Sequence, residues 1–215
     1  MRTTFDGQLK QMHDLLLEMA ELCRDAIVAS AEALEQEEEL RHRDVEEREQ
    51  RINALEREIE GLAMRILLRQ QPVAKDLRKV SAALKMISDL ERIGDHAEDI
   101  SELLPYIRQG VSNKKLPIEE MAHEAVSMVI DSICAFVQED LQLARGVIRY
   151  DDRVDSLFTV IKEELIGAIR RNDIPAETAL DVLMTAKYLE RVADHAVNVA
   201  EWAEYSITGV HKNHE

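Results

Sequence analysis

The chain has 215 residues, 43 of them acidic against 27 Lys and Arg, for a formal net charge of −16. So acidic a protein lacks the basic footprint that nucleic acid demands, and anionic lipid surfaces are disfavoured for the same reason. Seven Gly, four Pro and only 4% aromatic residues leave little material for strands and hairpins, so the composition, dominated by helix formers, predicts an all-α fold.

From the N-terminus, no Gly or Pro occurs between Gly7 and Gly61, a distance too long for one globular helix. The polar run Glu35-Gln36-Glu37-Glu38-Glu39 is the expected turn, and Gln138-Glu139-Asp140 is its later counterpart. Gln70-Gln71-Pro72 and Asn172-Asp173-Ile174-Pro175 each put Pro near a helix start, where its missing N–H costs nothing. Gln109 to Pro117 is rich in breakers and reads as a linker. Six helices follow, over 3–35, 38–70, 73–108, 117–137, 140–171 and 175–207. Short connections predict two tandem antiparallel three-helix bundles, residues 1–109 and 117–215, joined by 110–116.

No apolar run approaches the roughly 20 residues of a membrane span, and Met1-Arg2-Thr3-Thr4-Phe5-Asp6 lacks the apolar stretch of a signal peptide. A soluble cytoplasmic protein without membrane insertion is expected. Cys23 and Cys134 sit at non-corresponding places in helical patterns and read as small buried thiols in a reducing compartment.

The chain states one motif twice. Leu90-Glu91-Arg92-Ile93-Gly94-Asp95-His96-Ala97 returns as Leu189-Glu190-Arg191-Val192-Ala193-Asp194-His195-Ala196, at an offset of 99. Further upstream, Ile27-Val28 matches Val129-Ile130, Ser30 matches Ser132, and Arg51-Ile52-Asn53-Ala54-Leu55 matches Arg153-Val154-Asp155-Ser156-Leu157, all at an offset of 102. Pro72 and Pro175 lie 103 apart. The four-residue difference from 99 is about one helical turn, which a helix can lose without rotating its faces. The pattern is a tandem duplication of a unit near 100 residues, long enough for each copy to bury its own core.

On a helical wheel with Leu90 at zero, Ala83, Ile87, Leu90, Ile93, Ala97, Ile100 and Leu104 form the core-facing stripe. Glu91, Asp95 and Asp99 fall at about 100°, 140° and 180°, with Glu98 and Glu102 beside them. In the second copy Glu190, Asp194, Asn198 and Glu201 hold the same arc. Like charges at i and i+4 cost roughly 0.2–0.5 kcal/mol per pair. A lone acidic flank would be a solvated face, but one built twice points to a site. Carboxylates a turn apart, with no Cys and few His, suit Mg²⁺, Ca²⁺, Mn²⁺ or iron. Asn53, Glu56 and Glu60, which correspond to Asp155, Phe158 and Lys162, could add donors from the second and fifth helices. His96 and His195 project at about 240°, away from the carboxylates, and read as packing or partner-contact residues.

Together with Arg69-Gln70-Gln71-Pro72-Val73-Ala74-Lys75-Asp76-Leu77-Arg78, the motif pair resembles the PhoU family of phosphate-signalling regulators over essentially the whole chain. The resemblance implies two three-helix bundles, frequent dimerisation, and multinuclear iron or zinc on Glu/Asp-x-x-x-Asp motifs. Carried over by position, the metal ligands would be Glu91, Asp95 and Asp99 in one copy and Glu190 and Asp194 in the other. With Asn198 in place of a third carboxylate, the second site is expected to be weaker. The resemblance also implies a non-catalytic negative regulator that links the ATPase subunit of a phosphate ABC transporter to a sensor histidine kinase.

Two rivals compete. A ferritin-like di-iron protein needs paired Glu-x-x-His motifs on facing helices of one bundle. Glu39/His42 and Glu120/His123 lie in opposite copies without repeat partners, which disfavours it. The other rival is a helical adaptor whose acidic flanks bind basic protein surfaces without metal.

Overall fold

The structure, a computed structural model, describes residues 2–35, 42–108 and 116–210. Six helices account for nearly all of them: α1 Arg2–Glu35, α2 His42–Gln70, α3 Lys75–Arg108, α4 Ile118–Gln138, α5 Leu141–Arg170 and α6 Ala176–Thr208. Among the described residues there is no strand, and no helix is long and apolar enough to cross a membrane. The predicted turn at 36–39 and all of the predicted linker except Leu116 lie outside the described residues.

Helix ends follow local chemistry. Asp140 caps α5, its Oδ1 accepting from the backbone N–H of Gln142 at 2.9 Å and Leu143 at 3.0 Å. That cap is worth about 1 kcal/mol. The third helix starts at Lys75 rather than 73 because Ala74 has φ of 47°, which a right-handed helix cannot accommodate. Pro175 stands immediately before α6, as its sequence position predicts.

The helices α1, α2 and α3 pack mutually, as do α4, α5 and α6, giving the two tandem bundles. The repeat extends to surface contacts: Arg51 of α2 reaches Glu18 of α1 at 2.6 Å, and their equivalents Arg153 and Glu120 pair between α5 and α4. The duplicated hydroxyls of Ser30 and Ser132 are both fully buried and bond to carbonyls. The bundles then meet through α3 on α6 and α1 on α4. Consequently the apolar interior is one continuous core rather than one per copy.

Contacts across α3 and α6 show their direction. His96 stacks on Tyr188 at 5.4 Å, His195 Nδ1 donates to Asp89 Oδ1 at 2.9 Å, and Arg78 near the start of α3 donates to the Ser206 carbonyl near the end of α6. Position 89 corresponds to 188 and 96 to 195, so each copy uses the same two places to hold the other. The helices are antiparallel, and the copies are related by a pseudo-two-fold axis near the two His rings, 5.7 Å apart.

Packing has drifted in compensating pairs. A Cβ on Gly94 would stand 3.0 Å from Ile52 Cδ1 and 3.2 Å from its Cγ2. In the second copy Ala193 takes the glycine's place and Val154 the isoleucine's, both fully buried. One methyl group has moved from one side of the contact to the other. Ile52→Val alone should cost about 0.5–1.5 kcal/mol. Adding Gly94→Ala should recover most of that loss through the filled space and the better helix former, with a coupling of about 1 kcal/mol. Chemical denaturation of the four proteins of the cycle measures it, and strict additivity would contradict the packing account.

Candidate functional site

The repeated carboxylates come together with a second pair from the neighbouring helix. In the first copy Glu91 and Asp95 of α3 face Glu49, Asn53 and Glu56 of α2. Burial raises the Glu91 carboxyl above its ordinary value, and the charges of Asp95, Glu56 and Glu49 raise it further. Glu56 is raised too, first by burial and then by Glu60, with Asp95 contributing. Asn53 donates its amide to Glu49. Arg92 answers this negative charge from the rim, 3.0 Å from Asp95 and 3.6 Å from Glu91.

In the second copy Glu190 and Asp194 of α6 face Asp151 and Asp155 of α5. Here Asp151 is pushed up to about 6, by burial first and then by Asp155, Asp194, Asp152 and Glu190. Asp194 is likewise raised by burial and Glu190, against the pull of Lys187. Lys187 pairs with Glu190 and lies over the Phe158 ring at 5.6 Å, with Lys162 on the same ring at 5.8 Å. Thus the places of Glu56 and Glu60 are held here by an aromatic ring and an ammonium.

Glu49 and Asp151 were not among the residues singled out from the sequence. They lie 102 apart, one turn upstream of Asn53 and Asp155, so extending the offset by four residues would have revealed them. Each site is therefore two i,i+4 pairs on adjacent helices, Glu49/Asn53 with Glu91/Asp95 and Asp151/Asp155 with Glu190/Asp194.

Asp99 and Asn198 do not join them. Asp99 lies 3.3 Å from His96 Nδ1 and its charge bears on Tyr188 of α6, while Asn198 donates to Asp89 Oδ1 at 3.0 Å. Both have turned toward the α3–α6 contact. Asn198 therefore gives no ground for a weaker second site, which gathers Asp151, Asp155, Glu190 and Asp194 where the first has Glu49, Glu56, Glu91 and Asp95. His96 is half-buried in the same contact, its basicity lowered by burial and partly restored by Asp99. Both histidines serve helix packing there. Cys23 is buried with its thiol on the Leu90 carbonyl at 3.3 Å, whereas Cys134 is only partly buried.

The donor chemistry fits a hard divalent cation: carboxylate and amide oxygens, crowded enough to hold protons above the usual range. Among the described residues no three His, Cys, Asp or Glu side chains are gathered closely enough to hold a metal as they stand. Arg92 and Lys187 occupy the rims that an ion would have to share.

The crowding has a sign. A carboxyl whose folded-state pKa is raised stabilises the fold below its unfolded value and loses that contribution as pH rises through the folded value. For Asp151 the window runs from its ordinary 3.8 to about 6. In chelator-treated protein Asp151→Asn should therefore raise the melting temperature at pH 8, with the advantage shrinking by pH 5. Thermal unfolding at the two pH values checks this, and an advantage that grows toward pH 5 would contradict it.

The PhoU domain matches residues 16–104 and 118–203, once in each bundle. The chain is 34% identical to a phosphate-specific transport system accessory protein PhoU homolog of Clostridium acetobutylicum, over 97% of this chain and 96% of that protein. It is also 34% identical to homolog 1 from Thermotoga maritima, over 95% and 89% of the two chains. Among solved structures, PhoU from Pseudomonas aeruginosa superposes with a TM-score of 0.76 at 28% identity, covering 97% of each chain. The phosphate transport system regulatory protein PhoU from Streptococcus pneumoniae, at 24% identity, shares the fold with a TM-score of 0.88 over 97% of this chain and 99% of that one. Two matched domains, a family motif in each bundle and relatives aligned almost end to end lead to one conclusion: the chain belongs to the PhoU family.

Proposed function

We propose that this chain is an accessory regulator of phosphate-specific transport, a cytoplasmic negative regulator of the phosphate-starvation response. It couples the high-affinity phosphate ABC transporter, through the ATPase subunit, to the sensor histidine kinase, and does so as a homodimer without catalysis of its own. Residues 1–109 and 117–215 are its two units. The observation that supports this reading is the end-to-end kinship of both copies with proteins named as accessories of that transport system. Deleting the gene should leave starvation genes switched on in high phosphate. Normal repression in a deletion strain without a second copy would refute the role.

The metal reading is part of the proposal. Glu91 and Asp95 with Glu49, and Glu190 and Asp194 with Asp151 and Asp155, are the residues that would hold iron, zinc, Mg²⁺ or Mn²⁺. A bound cation would supply positive charge between α2 and α3 and between α5 and α6, relieving the crowding that raises Glu91, Asp151 and Asp194. A metal-free adaptor is the second reading, favoured by one observation: Arg92 and Lys187 already pair with these carboxylates. Elemental analysis after metal loading and desalting separates the two. Asp95→Asn and Asp194→Asn should each remove about half of the bound metal and leave helicity intact, whereas equal metal content in all three proteins would favour the adaptor.

A further inference from the structure

The chain is strongly acidic, yet one end of the first bundle is not. Residues 61–80, the last turns of α2, the turn 71–74 and the first turns of α3, hold Arg65, Arg69, Lys75, Arg78 and Lys79 against the single acid Asp76, a net +4. Apolar side chains stand among them in water: Leu68 is 74% exposed, Val73 73%, Met64 47% and Leu77 44%. Met64 and Leu68 are one helical turn apart on α2, and Leu77 stands in the first turn of α3, just past the turn 71–74. Gln71 and Ala74 both have left-handed backbone, φ 46° and 47°, and hold Val73 outward between them.

Not all five cations are available. Lys75 and Lys79 both pair with Glu139, and Arg78 donates to the Ser206 carbonyl. Arg65 and Arg69 are exposed and make no ion pair among the described residues. They flank Met64 and Leu68 directly.

The duplication supplies an internal control. The matching stretch of the second copy, 163–183, keeps exposed Ile166 and Leu180 at the places of Met64 and Leu77. Its charge is reversed, with Arg170 and Arg171 against Glu163, Glu164, Asp173, Glu177 and Asp181, a net −3. The shared fold accounts for Met64 and Leu77, which have exposed apolar equivalents, but not for the excess of cations or for Leu68 and Val73, whose places are held by Arg170 and Ala176.

We infer that the α2–α3 turn is a docking surface for an acidic protein segment bearing apolar side chains, carried by the phosphate transporter complex. The inference rests on the accessory role proposed above. Leu68, Val73, Met64 and Leu77 take the apolar side chains, and Arg65 and Arg69 the carboxylates. An anionic bilayer fits less well, because a flat membrane meets the whole field of a −16 protein, whereas a short segment stays within a Debye length, about 8 Å at physiological salt, of the basic island. The acidic end of a second copy has matching chemistry. That contact would be heterologous and would build rings or open chains rather than the homodimer proposed above.

The test is binding of the full-length protein to the phosphate transporter complex in nanodiscs of zwitterionic lipid, at low and high salt. Leu68→Asp, and separately the pair Arg65→Glu with Arg69→Glu, should each weaken binding at least tenfold. Leu180→Asp at the acidic end should stay within twofold, and wild-type binding should weaken as salt rises. Circular dichroism confirms that each variant is folded. Binding by the patch variants within twofold of wild type overturns the docking surface while leaving the accessory role standing. So does Leu68-dependent binding to phosphatidylglycerol vesicles without transporter, or a Leu68-dependent rise in mass by light scattering. A wild-type protein that does not bind the transporter complex at all refutes the accessory role and the docking surface together.

Discussion

Everything in this molecule is arranged around the antiparallel contact between α3 and α6. Two helices of more than thirty residues lie together along their length, from Arg78 on the Ser206 carbonyl at one end to Asp89, His96, Tyr188 and His195 near the middle. The contact divides α3 into three faces. One packs the apolar stripe into its own bundle, one carries His96 and Asp99 to α6, and the remaining flank turns Glu91 and Asp95 toward α2. Because the copies are related by a pseudo-two-fold axis, α6 repeats the division with His195 and Asn198 on the contact and Glu190 and Asp194 toward α5. The carboxylate sites are thus kept inside separate bundles, on the far sides of the helices that join them.

Divergence between the copies is informative because the fold is held constant. Where packing decides, changes have come in pairs that conserve volume, as at Ile52/Gly94 and Val154/Ala193. Where charge decides, they have not. Glu56 and Glu60 have become Phe158 and Lys162, while Asn53 has become Asp155, so two carboxylates are lost for one gained. The bundle tips have gone further and taken opposite signs. Core packing tolerates little independent drift, since a methylene gained or lost in a close-packed interior is felt directly. Exposed charge is limited only by what the surface must meet.

Much of this was legible in the sequence, and the parts that were not share a cause. Six helices, the duplication and the motif pair follow from periodicity and self-similarity, which are properties of the chain itself. A helical wheel shows which residues share a face but not which neighbour covers it. Asp99 at about 180° was assigned to the carboxylate flank, and only the proximity of α6 shows that it turns to His96 and Tyr188. Asn198 followed it into the same misgrouping by correspondence. Asp151 stands two residues before the matched stretch that opens at Arg153. The basic tip was hidden by averaging, since a net charge of −16 says nothing about where five cations stand together.

Crowded carboxylates and the interbundle contact are mechanically close. Asp95 is followed by His96, and Asp194 by His195, so each site and its half of the contact occupy the same turn of helix. His96 lies on Tyr188 and His195 on Asp89, so one residue separates each carboxylate site from a contact that joins the bundles. Packed helices resist continuous deformation and move instead by small discrete shifts. The basic tip of the first bundle lies where the start of α3 meets the end of α6, with Arg78 held by the Ser206 carbonyl.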